Sequence, residues 1–515
     1  MVWIGSLQGK WLTAGITLNS GIAFLLFGYD QGVFGGLLGN PLFLSTFNNP
    51  DATIQGQIVS TYDIGCILGA IATLFIGDKL GRRKMIGLSC LTVIIGGTIQ
   101  SASYSLGQMI VGRIIAGLGI GANTAVIPMW QSETCEAKHR GKLIAIQLAI
   151  VIGGISLTNW MNLGFSYVLD NPVSWRGPLA FQAFFAIVAI IMLFFMPESP
   201  RWLATKDRYE EARYVISRLQ AREITSTEVS EALQLIVDTV AHEKSASKVS
   251  WREVFSNGEQ QTFRRIALGA GCSLMQQMGG INVVVYYMPV VLTQSFGFTD
   301  RTALIMSACD FISLVIWGLV MCFFIERVGR KKMMLFGAFG QGICFSVTAA
   351  GLGVGTKASN AVAVTFIFLY HLFFGLSFLS IPFMYPSEVN SNRMRNTGSA
   401  IAMMVQWLFV YVVVLITPTG IANIGWRFYI IFGVLNLAWV PLIWYFYVET
   451  AGLTLEEIDG MFEHKYHGGR SMSWKEATRL AQADMRTQRN EISVKIAGGE
   501  HEEVMYHNEE LKNEQ

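Results

Sequence analysis

Long apolar stretches separated by short polar loops dominate this chain. Twelve of them reach the roughly 20 residues that a helix needs to cross a bilayer. They cover 12–38, 56–77, 85–104, 107–131, 143–163, 177–196, 264–296, 301–325, 333–353, 361–386, 396–420 and 426–447. The first and seventh exceed what the bilayer requires, so tilt, a kink or extension into a loop is expected there. The first run contains Asp30, is too long for a cleavable signal and lacks a small-residue cleavage site. Two segments break the pattern. In the 197–263 loop, apolar positions at helical spacing predict an amphipathic helix over Asp207–Ala221, with Tyr209, Ala212, Val215, Ile216 and Leu219 on one face. A second is expected over Thr227–Glu243 through Val229, Leu233, Ile236 and Val240. The end of the chain, from about Gly498, is polar and acidic and is expected to be disordered.

Composition narrows this to one class. Of 515 residues, 52% are hydrophobic and 14% charged, against about 25% charged in an average soluble protein. An ordinary cytosolic enzyme and a disordered scaffold are excluded, and a net charge of +2 offers no basic field for nucleic acid. Seven Cys are scattered without disulfide or zinc spacing. The fold class is therefore all-α, a polytopic membrane protein. Its orientation follows from charge. The loops after spans 2, 4, 8 and 10 hold thirteen Lys and Arg, against only Arg176, Arg301, Lys357 and Arg427 on the other side. The basic side is cytoplasmic, which places both termini, the 197–263 loop and the tail inside.

The chain also repeats itself. Gly81-Arg82 and Gly329-Arg330 follow spans 2 and 8. Ser132-Glu133 with Arg140 and Ser387-Glu388 with Arg395 follow spans 4 and 10. Glu198 and Glu449 follow spans 6 and 12. The expected division is a six-helix half over 1–196, a cytoplasmic linker with short amphipathic helices over 197–263, a second half over 264–447, and a tail over 448–515.

These signals, with Phe27-Gly-Tyr-Asp-Gln-Gly32, Gly77 to Lys84, Pro197-Glu-Ser-Pro-Arg-Trp-Leu203, Gln276-Gln277 with Gly280-Ile-Asn282, and Tyr385-Pro-Ser-Glu388, resemble the sugar porter family of the major facilitator superfamily. The likeness covers nearly all of 20–460. Ile127 to Glu133, Phe373 to Pro382, and Glu449-Thr-Ala-Gly with Leu455 to Asp459 resemble fungal members, including the yeast glycerol–proton symporter group. The resemblance implies two pseudo-symmetric halves of six helices rocking about a midplane site, opening one side at a time.

A hydroxylated solute loses its water on entering such a site, so donors and acceptors must replace it. Neutral amides offer both. Gln147, Gln276, Gln277, Asn282 and Gln406 are such groups, and with Trp407 they fall, by resemblance, on the family's sugar-contacting positions; an interhelical hydrogen bond is the competing role for Gln147. Phe27, Tyr286, Tyr287 and Phe383 are aromatic candidates, with core packing the competing role for the two tyrosines. Two positions depart from the pattern: Phe383 stands where hexose members often carry Trp, and Leu314 where an Asn often contacts sugar. The identity of the solute is thereby left open.

Asp30 lies inside the first span, where a charge is functional by default. Arg113 in the fourth span is its natural partner, and Asp30 matches the carboxylate of proton-coupled sugar porters. A permanent ion pair is the alternative. Asp63 and Asp310 also lie in or near spans; the resemblance gives neither a role, and each is either a second titrating site or a paired structural group. Asp78, Arg82, Glu133, Arg140, Glu198, Glu326, Arg330, Glu388, Arg395 and Glu449 sit at inner helix ends of both halves, and salt bridges between the halves, forming a cytoplasmic gate, are expected from them. Gly117, Gly119 and Gly121 lie inside an apolar span without a strand or Lys-Ser/Thr, so helix packing rather than nucleotide binding is expected. No nucleophile–base–acid set stands out, and no enzyme is expected.

The resulting expectation is a monomeric plasma-membrane symporter for a small neutral polyhydroxylated solute, a monosaccharide or polyol. A co-transported proton, but no cofactor or metal, accompanies it. Membrane lipid is its surroundings and nucleic acid is not a partner. A passive facilitator and a non-transporting sugar sensor are the alternatives.

Overall fold

The computed structural model describes residues 7–135, 140–168, 170–245, 251–391, 393–469 and 471–487. Among the described residues it is helical, with no strand. The first half comprises α1 (Gly9–Leu37), the short α2 (Pro41–Thr46), α3 (Ala52–Leu80), α4 (Arg82–Ser101), α5 (Leu106–Thr134), α6 (Arg140–Phe165) and α7 (Val173–Leu193). The linker forms α8 (Pro200–Thr205), α9 (Tyr209–Gln220), α10 (Thr227–Ser245) and α11 (Trp251–Val254). The second half comprises α12 (Thr262–Gln276), α13 (Asn282–Gln294), α14 (Asp300–Val328), α15 (Arg330–Val354), α16 (Lys357–Gly375), α17 (Ile381–Val389), α18 (Arg395–Ile424) and α19 (Arg427–Phe446), and α20 (Leu455–His467) follows in the tail.

Ten of these helices are long and apolar enough to span a membrane. The 29-residue α3 and the divided α12–α13 complete the twelve. Large apolar side chains such as Phe75, Phe323 and Trp444 are exposed on the outside, a surface that lipid rather than water covers.

Two expected spans are broken. The seventh runs through a π turn at Gln277–Ile281, where Gly280 takes φ 92°. Side chains bulkier than glycine's single hydrogen rarely adopt that angle. The Gly279 carbonyl freed there accepts hydrogen bonds from the Tyr370 hydroxyl (3.2 Å) and Asn436 Nδ2 (2.9 Å). The tenth, expected as one run over 361–386, stops at Gly375 and resumes at Ile381, where Pro382 lacks the N–H that a continuing helix would use. Non-helical backbone at membrane depth is tolerated only inside protein or beside a cavity.

Glycines set how closely the helices approach. A Cβ on Gly117 or Gly121 would lie 2.2 Å from the Tyr62 carbonyl oxygen and 2.0 Å from that of Cys66, both on α3. On Gly119, half a turn away, it would lie 2.4 Å from the Ser89 carbonyl oxygen on α4. The three glycines thus let α5 wedge between α3 and α4, as helix packing requires. The two halves meet along α3–α18 and α6–α14, which are the same pair of spans under the internal repeat.

The linker helices bury Trp202, Leu203, Ala212, Val215, Ile216, Val229 and Leu233 against one another. Tyr209, expected on that face, is 40% exposed: it opens α9 and its hydroxyl bonds Asp207 instead. The tail returns to the second half, where Asp459 pairs with Arg265 at the start of α12 and Gln261 Nε2 donates to the Phe462 carbonyl (3.0 Å). The expected disordered stretch from about Gly498 lies outside the described residues.

Candidate functional site

The two broken spans meet at midplane. Asn282 Nδ2 donates to Gln277 Oε1 (2.7 Å), Gln277 Nε2 donates to Gln276 Oε1 (3.0 Å), and Gln276 Nε2 donates to the Phe378 carbonyl (2.7 Å). Phe378 lies in the gap between α16 and α17. Three amides are thus aligned in one chain and anchored on backbone that the break exposes. Adjacent Gln276 and Gln277 belong to one string because the π turn begins between them. Across the half-interface, Phe27 on α1 and Trp407 on α18 meet edge to face, ring centroids 5.7 Å apart. Gln406 precedes Trp407; it is buried, and its Oε1 has no partner among the described residues. Phe383 is half-buried on α17. Leu314 is fully buried against Gly375, so that position contributes no polar group.

Three candidates, Gln147, Tyr286 and Tyr287, make hydrogen bonds outside the amide chain. Gln147 Nε2 donates to Gln131 Oε1 (3.4 Å), and Gln131 Nε2 donates to the Thr17 hydroxyl (3.1 Å), a string joining α6, α5 and α1 within the first half. Tyr286 uses its hydroxyl on Asp63 Oδ1 (3.2 Å), while the Tyr287 hydroxyl donates to the Val414 carbonyl (2.9 Å).

Asp30 and Arg113 form a fully buried ion pair, Nη1 to Oδ2 3.2 Å. The remaining guanidinium donors reach the carbonyls of Ile58 (3.2 Å) and Val59 (2.8 Å) on α3. Phe34 and Tyr62 sandwich the cation at 4.2 and 4.5 Å from their ring centres. The pair therefore ties α1, α3 and α5 together, and any change in the Asp30 charge acts on all three. Asp310 Oδ2 lies 2.9 Å from His371 Nδ1 on α16, with both groups buried. The spacing of Asp310 and His371 in the chain carries no signal for this contact.

At the inner helix ends the repeat becomes geometry. Arg82 grips Glu133 through Nε and Nη2, both 3.0 Å, and reaches Asp78 at 3.3 Å. Arg330 grips Glu388 (3.2 and 2.8 Å) and Glu326 (2.8 and 2.7 Å). Glu198 accepts from the Arg82 N–H (2.9 Å) and Glu449 from the Arg330 N–H (2.7 Å). The turns between, Gly81 at φ 88° and Gly329 at φ 97°, lie where a Cβ would strike those same carboxylates, at 2.6 and 2.4 Å. Burial pushes the Glu198 carboxyl up from its ordinary range, against the lowering pull of the N–H groups of Ser199, Arg83 and Arg82.

Each described pair in these clusters lies within one half, not between halves as expected. Arg395 donates to the Ser387 carbonyl (3.0 Å), also within its own half; the side chain of Arg140 lies outside the described residues. The same symmetry serves either pairing, so the repeat alone did not decide between them. Hydrogen bonds that do join the halves gather at and outside midplane: Thr53–Thr419, Ser156 to the Ala308 carbonyl, Gln31–Tyr286 and Tyr286–Asp63. Gly35 packs 3.0 Å from the Tyr286 carbonyl oxygen and Gly56 2.6 Å from that of Leu415, measured from a Cβ built on each. This conformation is closed on the outer side, and a cavity of ≈ 590 Å³ remains there between Asn40, Asn162, Asp170, Asp300 and Arg301.

Twelve spans in two repeated halves, with broken helices meeting at midplane, define a transporter of the alternating-access class. The profile of the family described as "Sugar (and other) transporter" matches residues 17–462, and the chain belongs to that family of the major facilitator superfamily. It is 41% identical over 463 residues to MFS-type transporter oryC of Aspergillus oryzae, covering 88% of this chain and 86% of that one. It is 35% identical to Sugar transporter STL1 of Saccharomyces cerevisiae, covering 92% and 85%. The inward-open xylose transporter XylE from E. coli superposes with a TM-score of 0.73 at 25% identity, covering 87% of this chain and 99% of that one. XylE as a proton:xylose symporter bound to 6-bromo-6-deoxy-D-glucose gives 0.72 at 26% identity, covering 88% and 99%. The protein is thus a multi-pass membrane transporter and not an enzyme.

Proposed function

We propose that this transporter takes up a monosaccharide or polyol together with a proton, across the plasma membrane, as a monomer with both termini in the cytoplasm. The observation that carries the solute class is the chain of neutral amides from Asn282 to Gln276. Such a chain holds donors and acceptors in fixed directions without a net charge, which suits a neutral polyhydroxylated solute. Phe27 and Trp407 add an apolar wall for the C–H face of a ring or chain. Asp30 supplies the coupling: taking up a proton weakens its hold on Arg113 and changes how α1, α3 and α5 are bound to one another. The inner clusters around Arg82 and Arg330 hold each half rigid at its cytoplasmic end, so that the halves move as bodies when the inner gate opens. The proton–xylose activity in the name of a structural neighbour supports the same reading.

The test is uptake by a host without endogenous sugar transport, challenged with hexoses, pentoses, disaccharides and glycerol at acid and neutral external pH. Saturable, acid-stimulated uptake of one small polyhydroxylated solute is expected. Uptake indifferent to the proton gradient would make the protein a facilitator, and no uptake of any of them would revive the sensor alternative.

A further inference from the structure

Asp63 sits at the closed outer interface, wholly buried. Its Oδ1 accepts the hydroxyl of Tyr286 from the opposite half (3.2 Å). Gln31 Nε2 donates to that same tyrosine oxygen (3.3 Å), which leaves the phenolic hydrogen directed at Asp63. Asp63 Oδ2 is buried and has no partner among the described residues. A bare carboxylate oxygen out of water and without a donor is costly, whereas a carboxylic acid carrying its hydrogen there is neutral.

The surroundings set the charge count. Arg113 on α5 pairs with Asp30 on α1 and donates to the Val59 carbonyl, one turn before Asp63 on α3. Tyr62 and Cys66 flank it on its own helix, and Tyr286 and Tyr287 face it from α13. The adjacent α18 carries no charged residue beyond Arg395 at its inner end. One guanidinium thus lies among two carboxylates, and it is spent on Asp30 and two carbonyls. One proton on Asp63 makes the buried group electrically neutral.

We propose that Asp63 is a second proton-binding site, and that its proton favours closure of the outer side through Tyr286. The proton comes from the outer aqueous phase while the halves are parted and adds to Oδ2. Closure then buries a neutral acid whose Oδ1 receives the Tyr286 hydroxyl. Release is the reverse: the interface parts, water reaches the group and the proton leaves. Tyr286 lies one helical turn from Asn282 on α13, so outer closure and the amide chain are set by the same helix. This inference rests on the proton-coupled reading above.

The experiment uses proteoliposomes loaded with the transported solute. Equilibrium exchange, which needs no net proton movement, is followed against external pH, and gradient-driven accumulation is measured in the same vesicles. Wild-type exchange should change about fivefold or more between about pH 5.5 and pH 7.5, and Asp63→Asn, a mimic of the protonated acid, should cut that change to less than about twofold. Tyr286→Phe keeps the carboxylate but removes the tie, and should flatten the same profile in a protein whose acidic groups are all intact. Asp30→Asn should lose accumulation and, by freeing the Arg113 guanidinium, should keep a pH-dependent exchange whose midpoint moves to more acidic pH. If both Asp63→Asn and Tyr286→Phe keep the wild-type profile in vesicles whose wild type accumulates solute, Asp63 is not such a site and the symport reading stands. If wild type does not accumulate solute at all, the symport reading fails and takes this inference with it.

Discussion

Replacing Gln277 with Leu tests whether the amide chain binds solute or only joins helices. The side chains are of similar size, so the change removes polarity with little cavity. Gln277 donates to Gln276 at 3.0 Å and accepts from Asn282 at 2.7 Å. Both neighbours are 4% exposed, so water does not replace what they lose. Two buried groups left unsatisfied at roughly 1–3 kcal/mol each amount to about 2–6 kcal/mol, a loss that lowers the melting temperature whatever the site does. Solute affinity separates the roles. If Gln277 and its aligned neighbours meet solute hydroxyls, losing one such contact costs about 1.4 kcal/mol, or tenfold in Kd. Misalignment of Asn282 should add to that. Isothermal titration of the purified variant with the preferred solute, beside a thermal melt, reads both. A lowered melting temperature with Kd within about twofold of wild type would refute the binding role and leave the chain as structural glue.

Other expectations are equally direct. Gly121→Ala would place a Cβ 2.0 Å from the Cys66 carbonyl oxygen and force α5 off α3, whereas Gly153→Ala meets nothing within 4 Å. The first should destabilise by about 1–3 kcal/mol in a detergent melt and the second should not; equal melts would contradict the packing assigned to α5. Glu198, held above the ordinary carboxylate range by burial, binds its proton more readily in the folded than in the unfolded chain. Stability should therefore fall as pH rises from the ordinary Glu value of about 4.3 through the raised folded value. Glu198→Gln should flatten that slope, and an unchanged slope would place the titration elsewhere.

Much of the architecture was legible because the bilayer imposes a length and the repeat imposes a register. Helix limits such as 12–38 against Gly9–Leu37 differ only at the ends. The breaks were less legible. Gly279-Gly280 and Pro382 mark them, but a hydropathy run averages across a few non-helical residues. Gln276, Gln277 and Asn282 were readable as neutral amides in one apolar span, but their alignment was not, since on a regular helix adjacent Gln276 and Gln277 point about 100° apart and only the π turn brings them into one string. Asp63–Tyr286 was not, since 223 residues separate partners that only the meeting of two halves brings together. The inner charges were recognised as a symmetric set, yet their partners were misassigned. Arg82 and Glu133 complement each other within a half as well as across halves, and only the conformation decides.

The central claim is that a proton gradient drives solute movement through Asp30. It is tested most directly by reconstituting purified wild type and Asp30→Asn into liposomes, imposing an acidic exterior, and recording solute accumulation together with the external proton concentration. Wild type should concentrate solute above equilibrium while protons leave the exterior, and Asp30→Asn should only equilibrate it. Accumulation by Asp30→Asn equal to that of wild type, or mere equilibration by wild type, would contradict the account.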